Sequence, residues 1–233
     1  MTRIPIKADV GFDEEFHKSI VYFPLVGLII GAISFIIGSL SSIIFDTFLT
    51  SILIVACEVI LTGGLHIDGL GDTFDAIYSN RDKERMLEIM KDSHVGSNAV
   101  LAIIILLLLK IAAYLELSGE TLTWVLLTMS VATRTFMVVF IVNFPYARKE
   151  GIGHMFTKYA KPFYTYIAFA VCAGIIAACG LQYLAVAGIC FTVTLIIAQY
   201  LKTQLGGLTG DTYGALTECG NVIYLLTAVF LLR

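Results

Sequence analysis

Residues 97–117 read SNAVLAIIILLLLKIAAYLEL, from Ser97 to Leu117, with a single basic residue, Lys110, inside the apolar run. About 20 apolar residues in helical conformation span the hydrocarbon core of a bilayer. Comparable runs occur at 22–45, 48–65, 122–142, 164–180, 183–202 and 217–232, so about seven membrane-crossing segments are expected. The second ends in Gly63-Gly64, and the seventh is the shortest and weakest. No ten-residue alternation recurs, which argues against a β-barrel. The expected fold is all-α: a polytopic integral membrane helix bundle in which residues 1–233 form one membrane-embedded domain.

Composition agrees. Of the 233 residues 58% are hydrophobic and 14% charged, where a soluble domain carries about 25% charged residues. Too few charges remain to solvate a water-facing surface. An ordinary cytosolic enzyme and a disordered regulator are excluded. A net charge of −3 leaves no basic footprint for nucleic acid. The first 20 residues are mixed and charged, so no cleavable signal peptide is expected. Cys57, Cys172, Cys179, Cys190 and Cys219 form no CxxC, and four lie in apolar runs. They read as small buried thiols.

Charge asymmetry sets the orientation. Arg3, Lys7 and Lys18 precede the first span. Arg81, Lys83, Arg85 and Lys91 lie in segment 66–96, Arg148, Lys149, Lys158 and Lys161 in 143–163, and Lys202 at the start of 203–216. If seven spans alternate, these 12 of the 15 basic residues share one side. The opposite turns, near Asp46–Thr50, Ser118–Thr121 and Gly180–Gln182, hold none. The positive-inside rule then makes the N-terminus and the long loops cytoplasmic, and any site must lie on that face.

Segment 61–98 carries the most informative pattern. Asp68, Asp72 and Asp75 stand at i, i+4 and i+7, one face of a helix. Such carboxylates repel one another unless a cation lies between them. A hard divalent ion with oxygen ligands resolves the conflict, and Mg²⁺ suits a site that also holds phosphate. Asp92 is placed to return to the same ion. Gly63, Gly64, Gly69 and Gly71 leave little bulk beside the acids, as close approach by another helix or a bulky ligand requires. A capped, solvated helix end is the plainer alternative. A second cluster, LGGLTGDTYGALTE at 205–218, echoes the first through its Gly-Asp-Thr. Asp211, with Thr209 and Thr212, offers oxygens or anion contacts, or else a polar turn.

Glu58, Lys110 and Arg134 lie inside apolar runs, where a charge needs a partner or a wet cavity. Lys110 is placed to pair with Glu58, and Arg134 to face an anionic ligand. Arg148 and Lys149 steer a polyanion or simply mark an inside loop. His66 and His94 flank the acids at no zinc spacing. Phosphate-loop, zinc-protease and serine-hydrolase motifs are all missing from the sequence.

Together, Gly63-Gly64-Leu65-His66-Ile67-Asp68-Gly69-Leu70-Gly71-Asp72-Thr73-Phe74-Asp75 and Arg85-Met86-Leu87-Glu88-Ile89-Met90-Lys91-Asp92-Ser93 resemble the signature of the cobalamin synthase family, adenosylcobinamide-GDP ribazoletransferases. The resemblance also takes in Arg3-Ile4-Pro5, Phe23-Pro24-Leu25-Val26-Gly27, Pro145-Tyr146-Ala147-Arg148 and Gly206-Gly207-Leu208-Thr209-Gly210-Asp211. It implies Mg²⁺-dependent attack by the hydroxyl of α-ribazole, or of its 5′-phosphate, on adenosylcobinamide-GDP, with release of GMP. On that resemblance Asp68, Asp72, Asp75 and Asp92 would hold metal, and Asp75 would be the general base. Asp72 and Arg134 would be catalytic. Arg85, Lys91, Arg148, Thr209, Asp211 and Thr212 would contact substrate or phosphate. The implied partners are these two substrates and the lipid bilayer, with no nucleic acid; a homo-oligomer or pathway partners are compatible with it. A CDP-alcohol phosphotransferase would need Asp-Gly-x-x-Ala-Arg, and Asp72-Thr73 stands where that motif has Ala-Arg. An ion-coupled transporter would place its acids near the midplane with access from both faces.

Overall fold

The computed structural model describes residues 2–3, 15–117 and 119–233. Ile4, Pro5, Lys7 and Ser118, named above, lie outside them. The described residues are all-helical save one isolated backbone bridge, between Tyr146 and Leu208.

A 3-10 turn at Phe16–Tyr22 leads into α1 (Phe23–Ile44), where Pro24 sits in the first turn, a position whose N–H needs no helical acceptor. Then follow α2 (Thr47–Thr62), α3 (Leu65–Tyr78), α4 (Lys83–Ile89), α5 (Ser97–Glu116), α6 (Gly119–Asn143), α7 (Ile152–Tyr159), α8 (Phe163–Cys179), α9 (Gln182–Leu205) and α10 (Gly210–Leu232). Five segments are long and apolar enough to cross a membrane alone: His17–Ile44, α5, α6, α9 and α10. The expected spans 48–65 and 164–180 correspond to α2 and α8, which have 16 and 17 residues. Each reaches span length only with a neighbour to which it is sharply bent, α3 at 90° and α7 at 105°.

The bend after α2 corrects the expected span end at 65. Gly63 and Gly64 both adopt left-handed backbone, φ 65° and 72°, which a side chain disfavours. The helix therefore stops at Thr62. α3 runs across the end of the bundle, and we read it as outside the spans. The seventh span is corrected in the other direction. It starts at Gly210, because Thr209 and Thr212 form a capping box that winds the glycine-rich stretch into α10.

α6 is the central post, buried on nearly every side. α1 lies against it through Gly27 and Gly31, where a Cβ would strike the Ser130 and Leu127 backbone, a small-residue contact typical of membrane helices. Outward faces are apolar, as at Ile104, Leu108, Ile196 and Phe230. That pattern suits a surface bathed in lipid. The molecule is a multi-pass membrane bundle.

Candidate functional site

One end of the bundle gathers the polar segments. The Arg3 N–H donates to the Leu61 carbonyl near the end of α2, at 2.7 Å. The loop after α6 is tied to the stretch before α10 by two bonds: Leu208 N–H to Pro145 O and Ala147 N–H to Leu208 O, both 2.8 Å. Gly207 makes this possible, since a Cβ there would stand 2.7 Å from the Ala147 nitrogen.

Those ties bring three aspartates together from two helices. α3 lies directly on the start of α10, because Gly69 presents only hydrogen: a Cβ would sit 2.6 Å from the Asp211 carbonyl oxygen. Gly214 returns the contact beneath His66, where a Cβ would lie 3.0 Å from the His66 Cα. The glycine expectation thus holds for Gly69, whose close neighbour is a helix. Asp72, half-buried on α3, faces Asp211 and Asp68, with Asp75 further along. Burial, then repulsion by Asp211 and Asp68, pushes its carboxyl up to about 7, against the pull of Arg148. Arg148 donates from a terminal nitrogen to Asp211 Oδ2 at 2.7 Å, so the guanidinium that pairs with Asp211 is the one that acts on Asp72.

The remaining expected site residues are placed differently. Asp75 accepts from Gly96 N–H at 2.6 Å and Ala99 N–H at 2.9 Å, so each of its oxygens already bonds to the start of α5. Asp92 is exposed and pairs with His94, whose ring holds its carboxyl below the usual range. Arg85 pairs with Glu88 on the outer surface of α4 at 2.7 Å, and Lys91 is exposed. Thr209 and Thr212 are fully buried. Each hydroxyl caps the other's backbone N–H, so they build the helix start and present no atom to a ligand.

Arg134, expected within a span, lies in the interior, lining a small cavity with Glu58, Lys110, Glu218 and Asn221. Lys110 bridges Glu58 at 2.5 Å and Glu218 at 3.3 Å, the first of which was the expected pair. Tyr114 donates to Glu58 at 2.8 Å and Asn221 to Glu218 at 3.4 Å. Two carboxylates meet two cations there. Glu218, Tyr114 and Asn221 escaped the sequence reading. Starting α10 at its capping box would have moved Glu218 from the edge of its span to the interior, where a charge demands attention.

Among the described residues, no three His, Cys, Asp or Glu side chains already surround a point that a metal would fill. The donor set still fits a hard divalent ion. Asp68 and Asp72 carry only oxygens and lie beside a third acid, with Arg148 acting on Asp72 from its pair with Asp211. Mg²⁺ is commonly held by one or two carboxylates, with water and substrate phosphate completing the shell.

Comparison with known proteins points one way. A model of the family described as cobalamin-5-phosphate synthase matches residues 1–229. The chain is 40% identical to a protein of Clostridioides difficile over 97% of this chain and 92% of that protein. It is 41% identical to one of Alkaliphilus metalliredigens, covering 97% and 90%, and 37% identical to one of Desulfitobacterium hafniense, covering 100% and 94%. All three are named adenosylcobinamide-GDP ribazoletransferase. No solved structure matches.

Proposed function

The chain belongs to the cobalamin-5-phosphate synthase family, and from that premise we propose that it joins adenosylcobinamide-GDP to α-ribazole, or to its 5′-phosphate, with release of GMP. The observation that carries the reading is the meeting of Asp68 and Asp72 on α3 with Asp211 on α10 at the Gly69 contact. Acids repelling one another beside one arginine form a site that a cation-bearing diphosphate would complete. We place this end of the bundle at the cytoplasmic face of the cell membrane, since the basic loops gather there.

Asp68 and Asp72 would hold Mg²⁺, which when bound neutralises charge on the diphosphate and the departing phosphate. Arg148 turns its guanidinium from Asp211 to a substrate phosphate, for which its fork is suited. Asp211 is then free to accept the proton of the attacking ribazole hydroxyl. That oxygen bonds to the phosphorus on the corrinoid side, the bond to the GMP oxygen breaks, and GMP departs. Asp75 takes a positioning role in place of the expected general base, because its oxygens fix the start of α5 relative to α3. Arg134, Arg85 and Lys91 stand away from this chemistry.

The test is GMP release from adenosylcobinamide-GDP plus α-ribazole by protein purified in detergent, with Mg²⁺ and with chelator. Release that needs the corrinoid nucleotide, the acceptor and Mg²⁺, and that is lost in Asp72→Asn, supports the reading. Full release with chelator removes the metal, and no release at all removes the function.

A further inference from the structure

We infer that Arg3 binds the diphosphate of the nucleotide donor in the cleft at the α2–α3 bend. This rests on the reaction proposed above and adds a residue to it. The cleft measures about 620 Å³ and is lined by Thr2, Arg3, Gly63, Gly64, Asp68 and Ile103, among others. That volume is in the range of small-molecule sites. Asp68, which lines the cleft, also belongs to the acid cluster, so the two share one carboxylate.

Three observations distinguish Arg3 from an ordinary solvated arginine. Its backbone is pinned to the Leu61 carbonyl, one of the carbonyls a helix end leaves without a partner. Its side chain lies flat on Gly63, where a Cβ would stand 2.8 Å from Arg3 Cγ and 3.1 Å from Cδ. Gly63 thus serves twice, as the left-handed turn residue and as the seat of the Arg3 stem. Finally, among the described residues no carboxylate lies within ion-pair distance of Arg3. A positioned, uncommitted guanidinium faces an acid across a cleft of ligand size. A diphosphate entering beside acids needs a fixed cation on the opposite wall, and a planar fork binds phosphate at two points.

A phosphate ester in this cleft has two sources, the nucleotide and a lipid headgroup; the geometry beside Asp68 favours the nucleotide. Steady-state kinetics in nanodiscs of neutral lipid tests this with Arg3→Gln, Arg3→Lys and Gly63→Ala. Arg3→Gln raises KM for adenosylcobinamide-GDP ten- to a hundredfold, leaves KM for α-ribazole and kcat within about threefold, and is partly rescued by Arg3→Lys. Gly63→Ala, which displaces the stem with no change of charge, reproduces the KM effect. Unchanged KM values, or both rising together with a fall in melting temperature, overturn the inference and leave the reaction standing. If wild type releases no GMP, the reaction fails, and titration of GDP alone decides Arg3: tenfold weaker binding to Arg3→Gln supports it and equal binding ends it. Should the Arg3→Gln defect arise only in discs containing phosphatidylglycerol, the ligand is a headgroup and the inference is wrong.

Discussion

Asp211 and Glu218 lie seven residues apart on α10, about 10.5 Å along its axis, yet they belong to charge groups of opposite design. Around Glu218, two glutamates face Lys110 and Arg134, all buried, with Tyr114 and Asn221 adding hydrogen bonds. Around Asp211, three aspartates gather where Arg148 pairs with Asp211 and acts on Asp72, and they remain partly open to water. The inner group balances its own charge and joins α2, α5, α6 and α10. The outer group holds more acids than cations, a repulsion that a proton on Asp72 relieves in part and that the proposed ligand would relieve further. A buried charge identifies a site only after its partners have been counted.

The inner group should therefore respond to mutation as architecture. Lys110→Met leaves Glu58 and Glu218 in the apolar interior with one cation between them. Removing one partner of a buried pair costs about 3–5 kcal/mol. We expect a large drop in thermal midpoint in detergent, with loss of activity following loss of fold. A variant that keeps its midpoint but loses turnover would move Lys110 into the chemistry and erase the contrast between the two groups.

Asp72→Asn should do the reverse. On the proposal that the acid cluster holds a diphosphate and its cation, kcat falls about 10²–10³-fold, roughly 2.7–4 kcal/mol at 1.36 kcal/mol per tenfold. The fold loses nothing, because a repelled carboxylate is replaced by a neutral amide. Circular dichroism melts beside GMP-release assays check both halves. Near-normal turnover would place the site elsewhere.

The same contrast explains what the sequence revealed. The bundle was legible from the apolar runs, whose length is set by bilayer thickness, and the acid cluster from its i, i+4, i+7 spacing. Which member of that face stays free was not legible. Asp75 is engaged by Gly96 and Ala99, 21 and 24 residues away, and no local pattern records those bonds. Arg134 looked like a ligand group because its balancing Glu218 lay near the edge of a misplaced span. The α2–α3 bend was written in Gly63-Gly64, but a pair of glycines gives a turn without its angle.

Gly69→Ala probes how closely α3 and α10 must meet. Its methyl would enter at 2.6 Å from the Asp211 carbonyl, against backbone on both sides. Overpacking of this kind costs about 1–3 kcal/mol, and it would also part Asp72 from Asp211. Activity should fall further than the melting temperature implies. Gly64→Ala is the matched control, since nothing lies within 4 Å of a Cβ there and only its left-handed backbone is strained. Equal losses of activity in the two variants would mean that bend geometry, and not helix contact, holds the acids together.

The smallest effect is a pH slope, and its sign is diagnostic. Burial and neighbouring acids raise Asp72 to about 7 in the fold, whereas an unfolded aspartate titrates near 3.9. Between those values the native state keeps a proton that the unfolded chain has released. Stability therefore falls as pH rises from about 4 to 7 and levels off above it. This runs opposite to a salt-bridged aspartate, which gains stability over the acid range. Melting curves in chelator should show the decline for wild type and lose this contribution in Asp72→Asn. Added Mg²⁺ should flatten the slope near pH 7, because a cation between Asp68 and Asp72 offsets the repulsive part of the shift. If Asp72→Asn and wild type decline in parallel, Asp72 does not face the other acids as described, and the outer group loses the charge excess that separates it from the inner one.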